Sequence, residues 1–103
     1  MKYQIIRTDT ANDQLYDIIN YIADDSDSMD VALNYLDKIE TAIMKLEEFP
    51  YRGSYPRYSI LKRQGYRVLI VERHLIFYKI KEDEKVVVIH TIVDARQEYM
   101  NLI

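Results

Sequence analysis

Apolar positions recur at helical spacing in the first half of the chain and at strand spacing in the second. Tyr3-Gln4-Ile5-Ile6-Arg7 is short and β-prone and predicts a first strand. Ala11, Leu15, Ile18, Ile19 and Ile22 then share one helical face. Thr8 or Thr10 can cap that helix, and Asp9 and Asp13 suit its positive end. Asp24-Asp25-Ser26-Asp27-Ser28 breaks the pattern and offers the next cap. Ala32, Tyr35, Leu36, Ile39, Ala42, Ile43 and Leu46 continue it as a second helix. Phe49-Pro50 ends that helix, because a residue before proline is pushed out of the α region. The short connection makes the two helices antiparallel.

Tyr51 to Pro56 holds Gly53 and reads as a loop. Four strands are expected after it, over 58–63, 66–72, 75–81 and 86–93, all rich in Ile, Val, Leu and Tyr. Gln64-Gly65, Arg73-His74 and Glu82-Asp83-Glu84 are the turns between them, and such short connections require antiparallel neighbours. The pattern weakens from Ala95, where a short helix or tail follows. The predicted fold is α+β: a strand, a two-helix hairpin and an antiparallel four-stranded meander, with the helices packed on one face. Residues 1–103 form one domain, since the length matches a common domain size and no linker, repeat or low-complexity stretch interrupts it.

Charge changes this picture by being uneven. The net charge is −3, which argues against a general nucleic-acid binder. Residues 9–48 hold eleven acids and two bases, whereas residues 50–74 hold six bases (Arg52, Arg57, Lys62, Arg63, Arg67, Arg73) and one acid, Glu72. One basic block sits on an acidic body, either to offset it internally or to meet a partner. With no cysteine, there is no disulfide, thiolate metal site or thiol nucleophile. The longest aliphatic runs, such as Val86-Val87-Val88-Ile89, fall far short of a membrane span, and the first residues lack a secretory apolar core. A cytoplasmic protein with no membrane partner is expected.

Familiar catalytic motifs are missing. The two glycines stand twelve residues apart, so no phosphate loop forms, and His74 and His90, sixteen apart, make no zinc helix. No metal and no cofactor are expected. The positive signal is Tyr51-Arg52-Gly53-Ser54-Tyr55-Pro56-Arg57-Tyr58, where aromatic and cationic side chains interleave. Aromatic faces can stack on bases and arginine can fork onto phosphate. The same residues can instead form a loop packed over the second helix. Alternation in the following strand puts Arg67, Leu69, Val71 and Arg73 on one face.

Several segments carry a family resemblance over nearly the whole chain. They are Gly65-Tyr66-Arg67, the strand Leu75-Ile76-Phe77-Tyr78-Lys79-Ile80, and Val86–Val93 running into Ala95-Arg96-Gln97-Glu98-Tyr99. Ile18-Ile19-Asn20-Tyr21-Ile22 and Leu46-Glu47-Glu48-Phe49-Pro50 agree with them. In their order and spacing they resemble the RelE/ParE family of type II toxin–antitoxin toxins. The resemblance implies a growth-inhibiting toxin, in the company of plasmid stabilization systems, neutralised by a cognate antitoxin. It also leaves room for a homodimer.

The family's two branches imply different chemistry. A RelE-like member is a metal-independent, ribosome-dependent mRNA endoribonuclease. The resemblance then gives Arg67, Arg96 and Tyr99 catalytic roles on the ribosome with mRNA. Two lysines of that branch fall on Ser59 and Leu61, and a related histidine falls on Asp94. A ParE-like member inhibits DNA gyrase. The run from Arg67 to Tyr78 fits that branch at least as well, and the reading leans to it. Arg52, Arg57, Lys62, Arg63 and Arg73 are the expected contacts to nucleic acid or target, and residues 57–73 also suit acidic antitoxin residues. A non-toxic binding module is the remaining alternative.

Overall fold

The structure, a computed structural model, describes residues 2–96. The chain runs β1 (Gln4–Arg7), α1 (Asp9–Ser26), α2 (Met29–Met44), two single 3-10 turns (Lys45–Glu47 and Pro50–Arg52), α3 (Ser59–Arg63), β2 (Tyr66–Val71), β3 (His74–Lys81) and β4 (Val86–Asp94). The sheet has four strands in the order β1-β4-β3-β2.

Local chemistry sets the helix ends. The Thr8 side chain accepts the Ala11 N–H, and Ser28 does the same for Val31. These bonds satisfy amides that a helix start leaves open. Asp27 closes α1 in the left-handed region, a conformation that Asp tolerates better than most residues. The apolar face of the helix pair then meets the sheet. Ala11, Leu15, Ile39, Ile43 and Leu46 pack on Leu69, Ile76, Tyr78, Val87, Ile89 and Ile92.

The expected α+β layout, with its helix pair and four-stranded sheet, is present, but the sheet is mixed. Only β2, β3 and β4 form an antiparallel meander. The fourth strand is β1, parallel to β4 with Gln4 opposite Val86 and Arg7 opposite Ile89. The segment 58–63, expected as a strand, is the helix α3. Its apolar residues explain the difference. Tyr58 and Leu61 stand one helical turn apart, and Leu61 is buried with Tyr66, Val68, Phe77 and Val93 on the sheet face opposite α1 and α2. Gly65 takes φ +95° and its N–H bonds to Lys62 O, which stops the helix.

Other differences are smaller. The β2–β3 turn lies at Glu72-Arg73 rather than Arg73-His74, since His74 already pairs with Val71. The second helix ends at Met44 and tightens into a 3-10 turn before the proline. In β4 the register shifts so that Phe77 faces Thr91 and Tyr78 faces Ile89, leaving His90 as an extra residue. His90 meets the Tyr66 ring edge-on, with centroids 5.4 Å apart.

Candidate functional site

The basic residues are divided between two ends of the sheet. The first group surrounds the loop before α3. Tyr78 is fully buried, and its hydroxyl donates to Pro50 O at 2.7 Å and accepts the Gly53 N–H at 3.1 Å. Gly53 is required here, because a Cβ would meet the Tyr78 hydroxyl and come within 2.8 Å of Val68 O. Ser54 and Val68 then exchange two backbone hydrogen bonds at 2.9 Å. The loop is therefore laid on the sheet, not over the second helix.

Arg67 completes this attachment. Its Nη2 donates to Tyr51 O at 2.8 Å and to Gly53 O at 2.6 Å. The guanidinium lies 4.8 Å from the Tyr55 ring centroid and 5.5 Å from that of Tyr51. Lys62 approaches the Tyr55 ring at 4.4 Å, and Arg57 covers Tyr58 at 4.9 Å. Arg52 and Arg63 are exposed. Arg52, Arg57, Lys62 and Arg63 are thus all exposed on the tyrosine-bearing loop and α3, while Arg67 supports that loop from within.

A carboxylate anchors the rim of this surface. Glu82 accepts from Tyr3 Oη at 2.7 Å, Tyr51 Oη at 2.5 Å and Lys85 Nζ at 2.5 Å. These three donors hold its carboxyl at about 2, below the usual carboxylate range, with Lys85 contributing most. Asp94 is also lowered to about 2, by its bonds from Arg96. A carboxylate depressed in the folded state stabilises it above its ordinary pKa, and the effect is lost as pH falls through the folded value. Thermal stability should therefore fall as pH drops from about 4.5 toward 2. A Glu82→Gln variant, scanned by melting temperature against pH, should show a shallower acid slope than the parent.

The second group lies where β2 turns into β3 and β4 ends. Ala95 N–H bonds to Arg73 O at 2.7 Å. Arg96 forks onto Asp94, with Nε to Oδ1 at 3.1 Å and Nη2 to Oδ2 at 2.9 Å. His74, opposite Asp94 on the ladder, is buried. Its Nδ1 lies 2.5 Å from the Tyr35 hydroxyl, which also reaches Val71 O at 3.1 Å. Burial pushes the His74 pKa down and outweighs the upward pull of Asp94. Arg73 is exposed and has no ion pair among the described residues. A cleft of about 460 Å³ opens here between α1 and the strand ends.

The structure does not bring Arg67 and Arg96 together. Arg67 faces Tyr78 across the ladder, and Asp94, the partner of Arg96, faces His74. Four residues of β3 separate those rungs, about 13 Å of strand. Arg73 lies with Arg96, away from the loop cations. Ser59 is exposed and Leu61 is buried in the core. Tyr99 lies outside the described residues. Sequence reading missed the Tyr35–His74 contact because it joins a helix to a strand 39 residues away.

Two further surfaces suit a partner chain. Along α2, a groove of about 710 Å³ is lined by Leu33, Leu36, Met44 and Phe49, with Asp37, Glu40, Glu47 and Glu48 around it. Leu33, Met44 and Phe49 are all exposed. At the sheet edge, Ser54 covers β2 only at Val68, and Ile70 beyond it is 65% exposed. Among the described residues, no helix is long and apolar enough to cross a membrane and no cluster of His, Asp or Glu could hold a metal ion.

Comparison with known proteins agrees with this architecture. No curated protein matches the chain. Among solved structures, a chain of the chromosomal ParDE toxin–antitoxin system from P. aeruginosa superposes with a TM-score of 0.75. It is 18% identical, over 92% of this chain and 98% of that one. A chain of the RelBE2 toxin–antitoxin complex from Mycobacterium tuberculosis gives a TM-score of 0.61 at 20% identity, over 91% and 92% of the two chains. These likenesses show the shared fold. The family model for the ParE toxin of the type II toxin–antitoxin system parDE matches residues 5–99. That match spans both helices and nearly the whole sheet, and the chain belongs to the ParE family of type II toxin–antitoxin toxins.

Proposed function

We propose that this toxin acts on DNA gyrase and is held inactive by a cognate antitoxin. The observation that carries the target is the separation of Arg67 from Arg96. Metal-free cleavage of RNA by this family's ribonuclease branch needs cations converging on one phosphate as its charge develops. Here Arg67 is committed to two loop carbonyls and Arg96 to Asp94, at different ends of the sheet. Leu61, where that branch has a lysine, is inside the core. Arg52, Lys62 and Arg63 are exposed cations that suit a protein or DNA surface.

The antitoxin reading is supported by the two open surfaces. The α2 groove suits an amphipathic helix, and the uncovered part of β2 suits an added strand. Acidic antitoxin residues would meet the basic loop and α3. Both proposed partners place the protein in the cytoplasm.

Induction in a bacterial host without antitoxin tests this function. Growth arrest with filamentation, a DNA damage response and continuing translation is expected. Purified protein with gyrase and ATP should accumulate cleaved DNA. A rapid translation stop with cleaved messenger would instead assign a ribonuclease. Normal growth despite soluble, folded protein would overturn the toxic reading in that host.

A further inference from the structure

The cleft beside His74 shares no lining residue with the α2 groove or with the cations Arg52, Arg57, Lys62 and Arg63. Its floor is apolar, from Ile18, Ile22 and Ile92, and its rim is polar. His74 is almost fully buried, yet it lines this cleft. The Tyr35 hydroxyl reaches both Val71 O at 3.1 Å and His74 Nδ1 at 2.5 Å, which fixes the ring in place. The other ring nitrogen, Nε2, has no hydrogen bond to a described residue.

Arg73 stands at the mouth, shared with a second opening of about 550 Å³ between the helix ends and the β2–β3 turn. Tyr21, 59% exposed, supplies an aromatic face on the α1 side. Two carboxylates also line the cleft, and they set its polarity. Asp94 is neutralised by Arg96, so an anion is directed away from Asp17 toward Arg73. The cleft thus offers an exposed cation with no ion pair among the described residues, a buried imidazole held at Nδ1 and a stacking face over an apolar floor.

We propose that this cleft binds a nucleoside phosphate, with the phosphate on Arg73, a sugar or base group hydrogen-bonded to His74 Nε2 and the base against Tyr21. Arginine suits phosphate because its planar fork is permanently charged. A pocket of this size and lining falls in the range of small-ligand sites. The same chemistry is carried by a free nucleotide and by the end of a nucleic-acid strand. Burial keeps His74 neutral near pH 7, and a bound phosphate would move its titration upward.

The test is an NMR titration of the folded chain with 5′-AMP, inorganic phosphate, adenosine and a short oligodeoxynucleotide. The chain has two histidines, and His90, against Tyr66 on the opposite sheet face, is an internal control. The expected result is saturable movement of the His74 ring signals with 5′-AMP, and weaker movement with phosphate or adenosine alone. Arg73→Gln, which removes no described contact, should weaken 5′-AMP binding about tenfold with the fold unchanged. Tighter binding of the oligonucleotide would assign a strand, and equal binding would assign a free nucleotide. No saturation at millimolar ligand, or equal binding by the Arg73→Gln variant, would overturn the proposal. Growth arrest is read separately, so the proposed target and this site can fail independently.

Discussion

Replacing Tyr78 by phenylalanine should lower the unfolding free energy by about 2 to 3 kcal/mol. The ring itself still fits, because only the hydroxyl is removed from a fully buried side chain. What is lost is the partner of two backbone groups, Pro50 O at 2.7 Å and the Gly53 N–H at 3.1 Å. A buried polar group left without its partner costs about 1 to 3 kcal/mol. For a domain of this size that is a fall in melting temperature of about 10 °C or more. Urea unfolding should show a lower midpoint with an unchanged slope. The effect should also reach Tyr51, whose hydroxyl and carbonyl are held by Glu82 and Arg67. A cost below about 0.5 kcal/mol, the usual range of surface substitutions, would show that the loop is held without Tyr78.

The second large effect is expected at Arg67. Arg67→Ala should destabilise the fold by about 2 to 3 kcal/mol, since hydrogen bonds from a charged group contribute about 1.5 to 3 kcal/mol. The contacts with the Tyr51 and Tyr55 rings add to this. The buried Nε, with no partner, offsets part of the gain. Arg67→Lys should recover little, because an ammonium lacks the planar face set against the Tyr51 and Tyr55 rings from which Nη2 reaches both carbonyls. By contrast, Arg52→Ala and Arg63→Ala should change stability by less than about 0.5 kcal/mol, as both side chains are exposed. The comparison separates support from chemistry. If growth inhibition by Arg67→Ala follows its folded fraction and returns at lower temperature, Arg67 is a positioning residue. Full stability with no activity would instead give Arg67 a direct role on the target.

Much of this architecture was legible from local patterns. The capping residues Thr8 and Ser28, the apolar stripe through Ile39 and Ile43, and the apolar strands 75–81 and 86–93 rest on residues near in sequence. The family resemblance rested on the same segments. The site was less legible. Sequence placed Arg67 among the catalytic candidates and Arg73 among the target contacts, with Arg96 beyond the last strand. It could not show that the first is tied to a loop and the other two share one end of the sheet. His74 carried no signal at all, because its meaning comes from Tyr35.

The sequence by itself determined the two amphipathic helices, the four strands, the uneven charge and the family, since each depends on side-chain order over short distances. Only the tertiary structure decided that β1 joins β4 in parallel, that residues 59–63 coil into a helix, and that Tyr78 and Arg67 fasten the basic loop. These depend on which backbone groups find partners across tens of residues. The segment 59–63 has nearly equal local preferences for strand and helix. Burial of Leu61 on the sheet face, the Ser54–Val68 bridge and the reversal at Gly65 together tip it to the helix.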